Sequence, residues 1–146
     1  MKSIFDKATI EELIHRINSL NENAKPLWGK MNAAQMLRHC TMWDEMALGK
    51  KTYKQGWLGK LVGKFALKDM MKDEPMKKNM PTVPSFKITD KVDFLKEQQK
   101  WIALLNEYQY LKINGFVHPF FGQLTKEQVG YMAYKHIDHH LKQFNN

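Results

Sequence analysis

Four stretches of the chain repeat apolar residues at the spacing of a helix. In the first, residues 9–21, Ile10, Leu13, Ile14, Ile17 and Leu20 recur every three or four positions. Thr9 and Glu12 stand ahead of them as a capping box, and Asn21-Glu22-Asn23-Ala24-Lys25-Pro26 ends the run with turn residues and a proline. His15 falls off the stripe, on the solvated side. A second helix is expected from about Asn32 to Leu48, with Asn32 and Gln35 as its capping box and Gly49 as its stop. Its inward stripe is Ala33, Met36, Leu37, Cys40, Trp43 and Ala47, and His39 borders that stripe. A third helix is expected from Asp90 to about Leu111, with Val92, Leu95, Ile102, Leu105 and Tyr108 inward, Trp101 and Leu104 beside them, and Ile113-Asn114-Gly115 as the stop. An aromatic-rich connection, Phe116 to Gly122, leads to the last helix, Thr125 to Phe144, capped by Thr125 and Gln128. There Val129, Met132, Ala133, His136, His140 and Phe144 share one face.

Four long helices and no convincing run of strands predict an all-α fold, a four-helix bundle forming one domain over residues 1–146. Residues 50–87 interrupt this plan. Lys50 to Gly56 reads as a loop, and Asp73 to Phe86, with Pro75, Pro81 and Pro84, as an extended loop. Between them, Trp57, Leu58, Leu61, Val62 and Phe65 keep helical spacing, while Lys60, Lys64, Lys68 and Lys72 recur every four residues; Gly59 and Gly63 interrupt the pattern. The favoured reading is a short extra helix that covers one end of the bundle with its lysines in solvent. The other is a cationic amphipathic helix for a membrane surface or an acidic partner.

Composition adds boundaries to this picture. Hydrophobic residues make up 43% and aromatics 12% of the chain, which excludes a disordered polymer. The net charge is +8, of which residues 50–91, with eleven lysines and four acids, carry +7. The basic character is therefore confined to one segment, which argues against a general nucleic-acid-binding surface. No apolar run is long enough for a membrane span, so no integral membrane segment is expected. A lone cysteine, Cys40, reads as a small core residue, and with no apolar signal segment in Met1–Asp6 the chain is expected to be cytoplasmic.

The candidate chemistry is histidine chemistry. His136 and His140 are one turn apart in the middle of an apolar stripe, where an unpaired polar group is costly. A metal ion meets the need if another helix supplies a third ligand, and His39 is the natural candidate. Asp44, Gln35 or Gln143 would orient the rings. The plainer reading is a set of core or surface histidines, those of the last turn meeting the helix dipole.

The run His118-Pro119-Phe120-Phe121-Gly122-Gln123-Leu124, followed by His136-Ile137-Asp138-His139-His140-Leu141-Lys142-Gln143-Phe144, resembles the DinB-like superfamily. The similarity is closest to a branch sharing a His-Pro-x-Phe-Gly connection and a His-x-x-His-His-Leu-x-Gln-Phe helix, and Met31 to Cys40 is similar to the same branch. The resemblance implies a four-helix bundle with metal ligands at His39, His136 and His140, nickel or zinc as the metal, and a homodimer as an expected assembly. Characterised relatives include thiol-dependent transferases that use bacillithiol or mycothiol. On this reading the chain is a metal-dependent S-transferase acting on a small-molecule electrophile, with His139 and His118 near the pocket as proton carriers. The competing expectation is a binding module without chemistry that uses the cationic 57–72 helix.

Overall fold

Local capping chemistry fixes two helix starts where the sequence places them. In this computed structural model, which describes residues 2–110 and 115–146, α2 (Ala33–Ala47) opens with the Asn32–Gln35 box and α5 (Lys126–Gln143) with the Thr125–Gln128 box, both reciprocal. Past the end of α2, Gly49 takes the left-handed conformation, φ +73°, that favours glycine. The other helices are α1 (Lys7–Ser19), α3 (Trp57–Met70) and α4 (Phe94–Glu107). The fold is thus mostly helical, and no helix among the described residues is long and apolar enough to cross a membrane.

Both α4 and α5 pack against α1 and α2. Helix α2 is consequently buried around most of its circumference, and its polar residues Thr41, Asp44 and Glu45 are buried with it. Each has partners, as burial requires. The Thr41 hydroxyl donates to the Leu37 carbonyl at 2.8 Å. Glu45 meets Lys100 at 2.6 Å and Lys51 at 2.9 Å. Asp44 accepts from Trp101 Nε1 at 2.6 Å and from the Tyr108 hydroxyl at 2.7 Å, which ties α2 to the α4 side. Cys40 is fully buried beside Met36, as a small core residue.

Three helix boundaries or faces differ from the sequence expectation. Helix α1 starts at Lys7, so Thr9 lies buried within it and the Thr9–Glu12 box is not formed. The cause is tertiary: the Ile4 amide donates to the Gly130 carbonyl of α5, docking the entering chain and drawing Asp6 into the cap position. Helix α4 starts at Phe94, not Asp90, because the Asp93 carboxylate accepts the Lys96 amide. Its buried face is Phe94, Trp101, Leu104 and Leu105, and Leu95 points outward. Helix α4 passes at Glu107 into a 3-10 turn, Tyr108–Tyr110; the expected stop at Ile113 and Asn114 lies outside the described residues.

The aromatic connection also folds as more than a linker. β1 (Phe116–His118) and β2 (Gly122–Leu124) pair antiparallel, Phe116 with Leu124 and His118 with Gly122. Strands of three residues are too short to show the alternation by which strands are read. His118 organises the turn between them: its Nδ1 accepts the amides of Phe120 and Phe121 at 3.1 and 3.2 Å.

Helix α3 is inverted relative to its pattern. Its inward contacts are made by Gly59, Gly63, Leu67 and Met70, while Trp57, Leu58, Leu61, Val62 and Phe65 face solvent. A Cβ on Gly59 or Gly63 would overlap the Phe120 carbonyl of the hairpin turn. The two glycines are therefore the packing face, where backbone meets backbone.

Candidate metal centre

The capped start of α2 and the α2–α5 contact bring His39 against the centre of α5. His39, His136 and His140 then offer ring nitrogens that all lie within 4.8 Å of one another. The His39 and His136 Nε2 atoms are 3.1 Å apart. Two nitrogens on one ion with metal–nitrogen bonds of about 2.0–2.1 Å would stand roughly 3.0–3.4 Å apart, so this pair already has ligand spacing.

Neighbouring carbonyls set the tautomers. A carbonyl only accepts, so His39 Nδ1, 3.1 Å from the Phe86 oxygen, carries the hydrogen, and the lone pair is left on Nε2. Phe86 arrives on a 3-10 turn, Pro84–Phe86, at the end of the long connection before α4. His140 is set by a two-step relay. The Trp28 carbonyl accepts from Gln143 Nε2 at 2.6 Å, which fixes the orientation of that amide. Gln143 Oε1 therefore faces His140 Nδ1 at 2.9 Å, and the His140 lone pair is left on Nε2. The loop grips Gln143 closely: the Leu27 amide donates to its backbone carbonyl at 2.7 Å, and a Cβ on Gly29, φ +77°, would come within 2.8 Å of its Nε2. Trp43 stacks on His136, rings 5.5 Å apart. His136 Nδ1 is buried and has no partner among the described residues.

Burial pushes all three histidines below the ordinary imidazole range, His140 to about 3, and the neighbouring histidines lower His136 further. The three rings are neutral at neutral pH, the form in which imidazole binds a metal. Close ligand spacing between His39 and His136 Nε2, and the His39 and His140 lone pairs fixed by the Phe86 carbonyl and by the Trp28–Gln143 relay, fit a divalent ion.

Of the three residues expected to orient the rings, Gln143 does so. Gln35 belongs to the α2 cap, and Asp44 faces Trp101 and Tyr108. His139 is half-buried, its ring 5.2 Å from both His140 and Trp28. It lines a cavity of about 120 Å³ that also touches Trp28, Met76, Lys78 and Lys142. His139 thus touches both the cavity and His140, while His39, His136 and His140 do not line the cavity. His118 lies buried on β1, its Nδ1 occupied by the turn amides, and burial lowers it to about 4. The Phe86 and Trp28 carbonyls were not readable as site groups, since a backbone oxygen carries no residue signature.

Replacing Gln143 by leucine removes the acceptor that holds His140. Zinc affinity is expected to fall about 10–100-fold, the usual effect of losing such a support. Competition against a chromophoric chelator measures it, with circular dichroism to verify the fold. Unchanged affinity would show that the relay does not orient a ligand.

No curated protein and no solved structure matches the chain. A comparison with protein families matches residues 4–146, nearly the full length, to DUF1569, described as a protein of unknown function. The chain belongs to the DUF1569 family.

Proposed function

We propose that this protein is a metal-dependent enzyme of the DinB-like kind that joins a low-molecular-weight thiol to a small electrophile. In this reading α1, α2, α4 and α5 are the four-helix bundle, and His39, His136 and His140 hold zinc or nickel. The observation that carries it is the convergence of three neutral imidazoles from two helices, His39 and His140 buried and His136 partly so, with ring nitrogens within 4.8 Å of one another. Three protein ligands with positions left open describe a catalytic site more than a structural one. A bound divalent ion there supplies Lewis acidity, which lowers the pKa of a thiol.

The chain's own residues supply the rest. Phe86 and Gln143 hold the rings of His39 and His140 in one tautomer. His139, which lines the cavity and lies against His140, takes the thiol proton on a ring nitrogen; burial keeps that ring neutral and able to accept it. The sulfur then bonds to the electrophilic carbon while the leaving group departs with its electron pair. Lys78, over the Trp28 ring at the cavity wall, draws in an anionic thiol such as bacillithiol, while Lys142 is paired with Asp138 of the same wall at 2.8 Å. A cavity of about 120 Å³ admits only part of such a molecule, so the remainder lies along the surface. His118 holds the hairpin turn, which leaves His139 the better situated of the two proton carriers.

Two measurements test this reading. Elemental analysis of untagged protein purified without chelator is expected to give about one metal per chain. Thiol transfer to a reactive electrophile is expected to require that metal and to vanish in His136→Ala/His140→Ala. Stoichiometric metal with no metal-dependent turnover for any low-molecular-weight thiol would reject the transferase, and absence of metal would reject the site.

A further inference from the structure

Helix α3 presents five large apolar side chains to solvent along one face. Trp57 is 74% exposed, Leu61 65% and Phe65 79%, with Leu58 and Val62 between them. Contiguous exposed apolar surface of this kind marks an interaction site. The orientation is enforced at three points. At the N-terminal end, the Gly56 amide donates to the Pro119 carbonyl at 2.9 Å and Gln55 Nε2 to the Phe120 carbonyl at 3.2 Å. In the middle, Gly59 and Gly63 lie flush on the hairpin turn. At the C-terminal end, Lys135 Nζ donates to the carbonyls of Met70 and Lys72 at 2.8 and 2.7 Å, and the Tyr131 hydroxyl to the Lys72 carbonyl at 2.8 Å. The helix has no side chains at Gly59 and Gly63 to exchange for the outer stripe, so rolling inward would force large side chains against backbone.

The charge beside the stripe is of one sign. Lys60, Lys64 and Lys68 are exposed and lie along one flank of the apolar face, and none of them pairs with a carboxylate among the described residues. From Thr52 to Lys68 the chain holds no acidic residue. Asp69, next on the helix, is already paired with Lys72 at 2.7 Å and Lys77 at 3.6 Å. A second copy of this face would set lysines against lysines with no free acid on the helix to match them. A layer that is apolar below and anionic at its boundary satisfies both the stripe and the lysines at once. We propose that α3 is an in-plane anchor that docks the protein onto an anionic lipid surface, Trp57, Leu61 and Phe65 entering the acyl boundary and Lys60, Lys64 and Lys68 meeting the phosphates.

The test is sedimentation of the full chain with vesicles at low salt, alongside sedimentation velocity of the free protein. Wild type is expected to bind vesicles of phosphatidylglycerol and phosphatidylcholine at least about tenfold more tightly than pure phosphatidylcholine vesicles, and to lose binding as salt rises. Lys60→Glu/Lys64→Glu is expected to weaken binding at least about 25-fold, roughly fivefold per lysine lost. Trp57→Ser/Phe65→Ser is expected to weaken it about tenfold or more with Tm unchanged, because both side chains already face water. No binding to the anionic vesicles at low salt overturns the proposal. So does a wild-type dimer that Trp57→Ser/Phe65→Ser dissolves, which would assign the face to a second copy. Equal binding to an acidic peptide without lipid would assign it to a protein. None of these outcomes depends on metal content, so failure here and failure of the metal site are distinguishable.

Discussion

His39→Ala is expected to lower zinc affinity by at least about 100-fold. Structural zinc sites with four ligands contribute about 10–16 kcal/mol, or roughly 3 kcal/mol per ligand, and each 1.4 kcal/mol is a factor of ten. The loss falls on an unusual residue, because His39 is about a hundred positions from the other two candidate ligands and on a different helix. His136 and His140 alone share one helical face and would bind adventitiously; it is the α2 contact that brings a third candidate ligand to them. Zinc should accordingly raise the Tm of the wild type and leave the Tm of His39→Ala nearly unchanged. His15→Ala, at an exposed position of α1, serves as the control and should behave as wild type. Equal zinc affinity in His39→Ala and wild type would remove His39 from the site and reduce the cluster to core histidines.

Asp44→Ala carries the largest expected cost to stability. The carboxylate is fully buried and accepts from Trp101 Nε1 and the Tyr108 hydroxyl at 2.6 and 2.7 Å, and neither donor has another partner among the described residues. Removing it strands two buried donors at about 1–3 kcal/mol each, so a total of roughly 2–6 kcal/mol is expected, or a fall in Tm of roughly 6–18 °C. Chemical denaturation measures the difference directly, and a change below about 1 kcal/mol would mean that water or a rearranged partner satisfies both donors. The same residue has a pH signature. Burial raises its carboxyl from 3.8 to about 7, overcoming the two hydrogen bonds that favour the charged form. A folded pKa above the unfolded one means that the folded protein holds the proton more tightly. The stability from this group is full below about pH 4 and is lost as pH climbs through about 7. His118 and His140, lowered to about 4 and about 3, act in the opposite sense: they weaken the fold as pH falls below about 6.5. Asp44→Asn, which keeps the shape, should leave the histidine trend and erase the carboxyl trend.

The candidate ligands were legible because their signal is local periodicity. His136 and His140 interrupt an apolar stripe at its centre, and His39 sits three and four residues from Met36 and Trp43. The capping boxes of α2 and α5 were legible for the same reason: each is a contact between residues three apart. What stayed hidden depends on distant chain. The start of α1 is set by a bond from Ile4 to Gly130, and the orientation of α3 by the carbonyl of Phe120. Amphipathic patterning predicts only that apolar residues face apolar surroundings; it contains no rule for a helix whose smallest residues are the ones covered. Leu95 beside Phe94 shows a milder form of the problem. With adjacent leucine and phenylalanine, a shift of one residue in the start of α4 decides which one faces the core.

Helix α3 also reverses the usual map of mutational tolerance. In most helices of a folded domain the large apolar positions are the constrained ones and the small residues are free to vary. Here a single added methyl at Gly59 or Gly63 meets a carbonyl, while Trp57, Leu61 and Phe65 can change size, polarity or charge without disturbing a packed neighbour. Whatever this surface recognises can therefore be retuned by substitution while the fold beneath it, and the histidine cluster beyond, remain as they are.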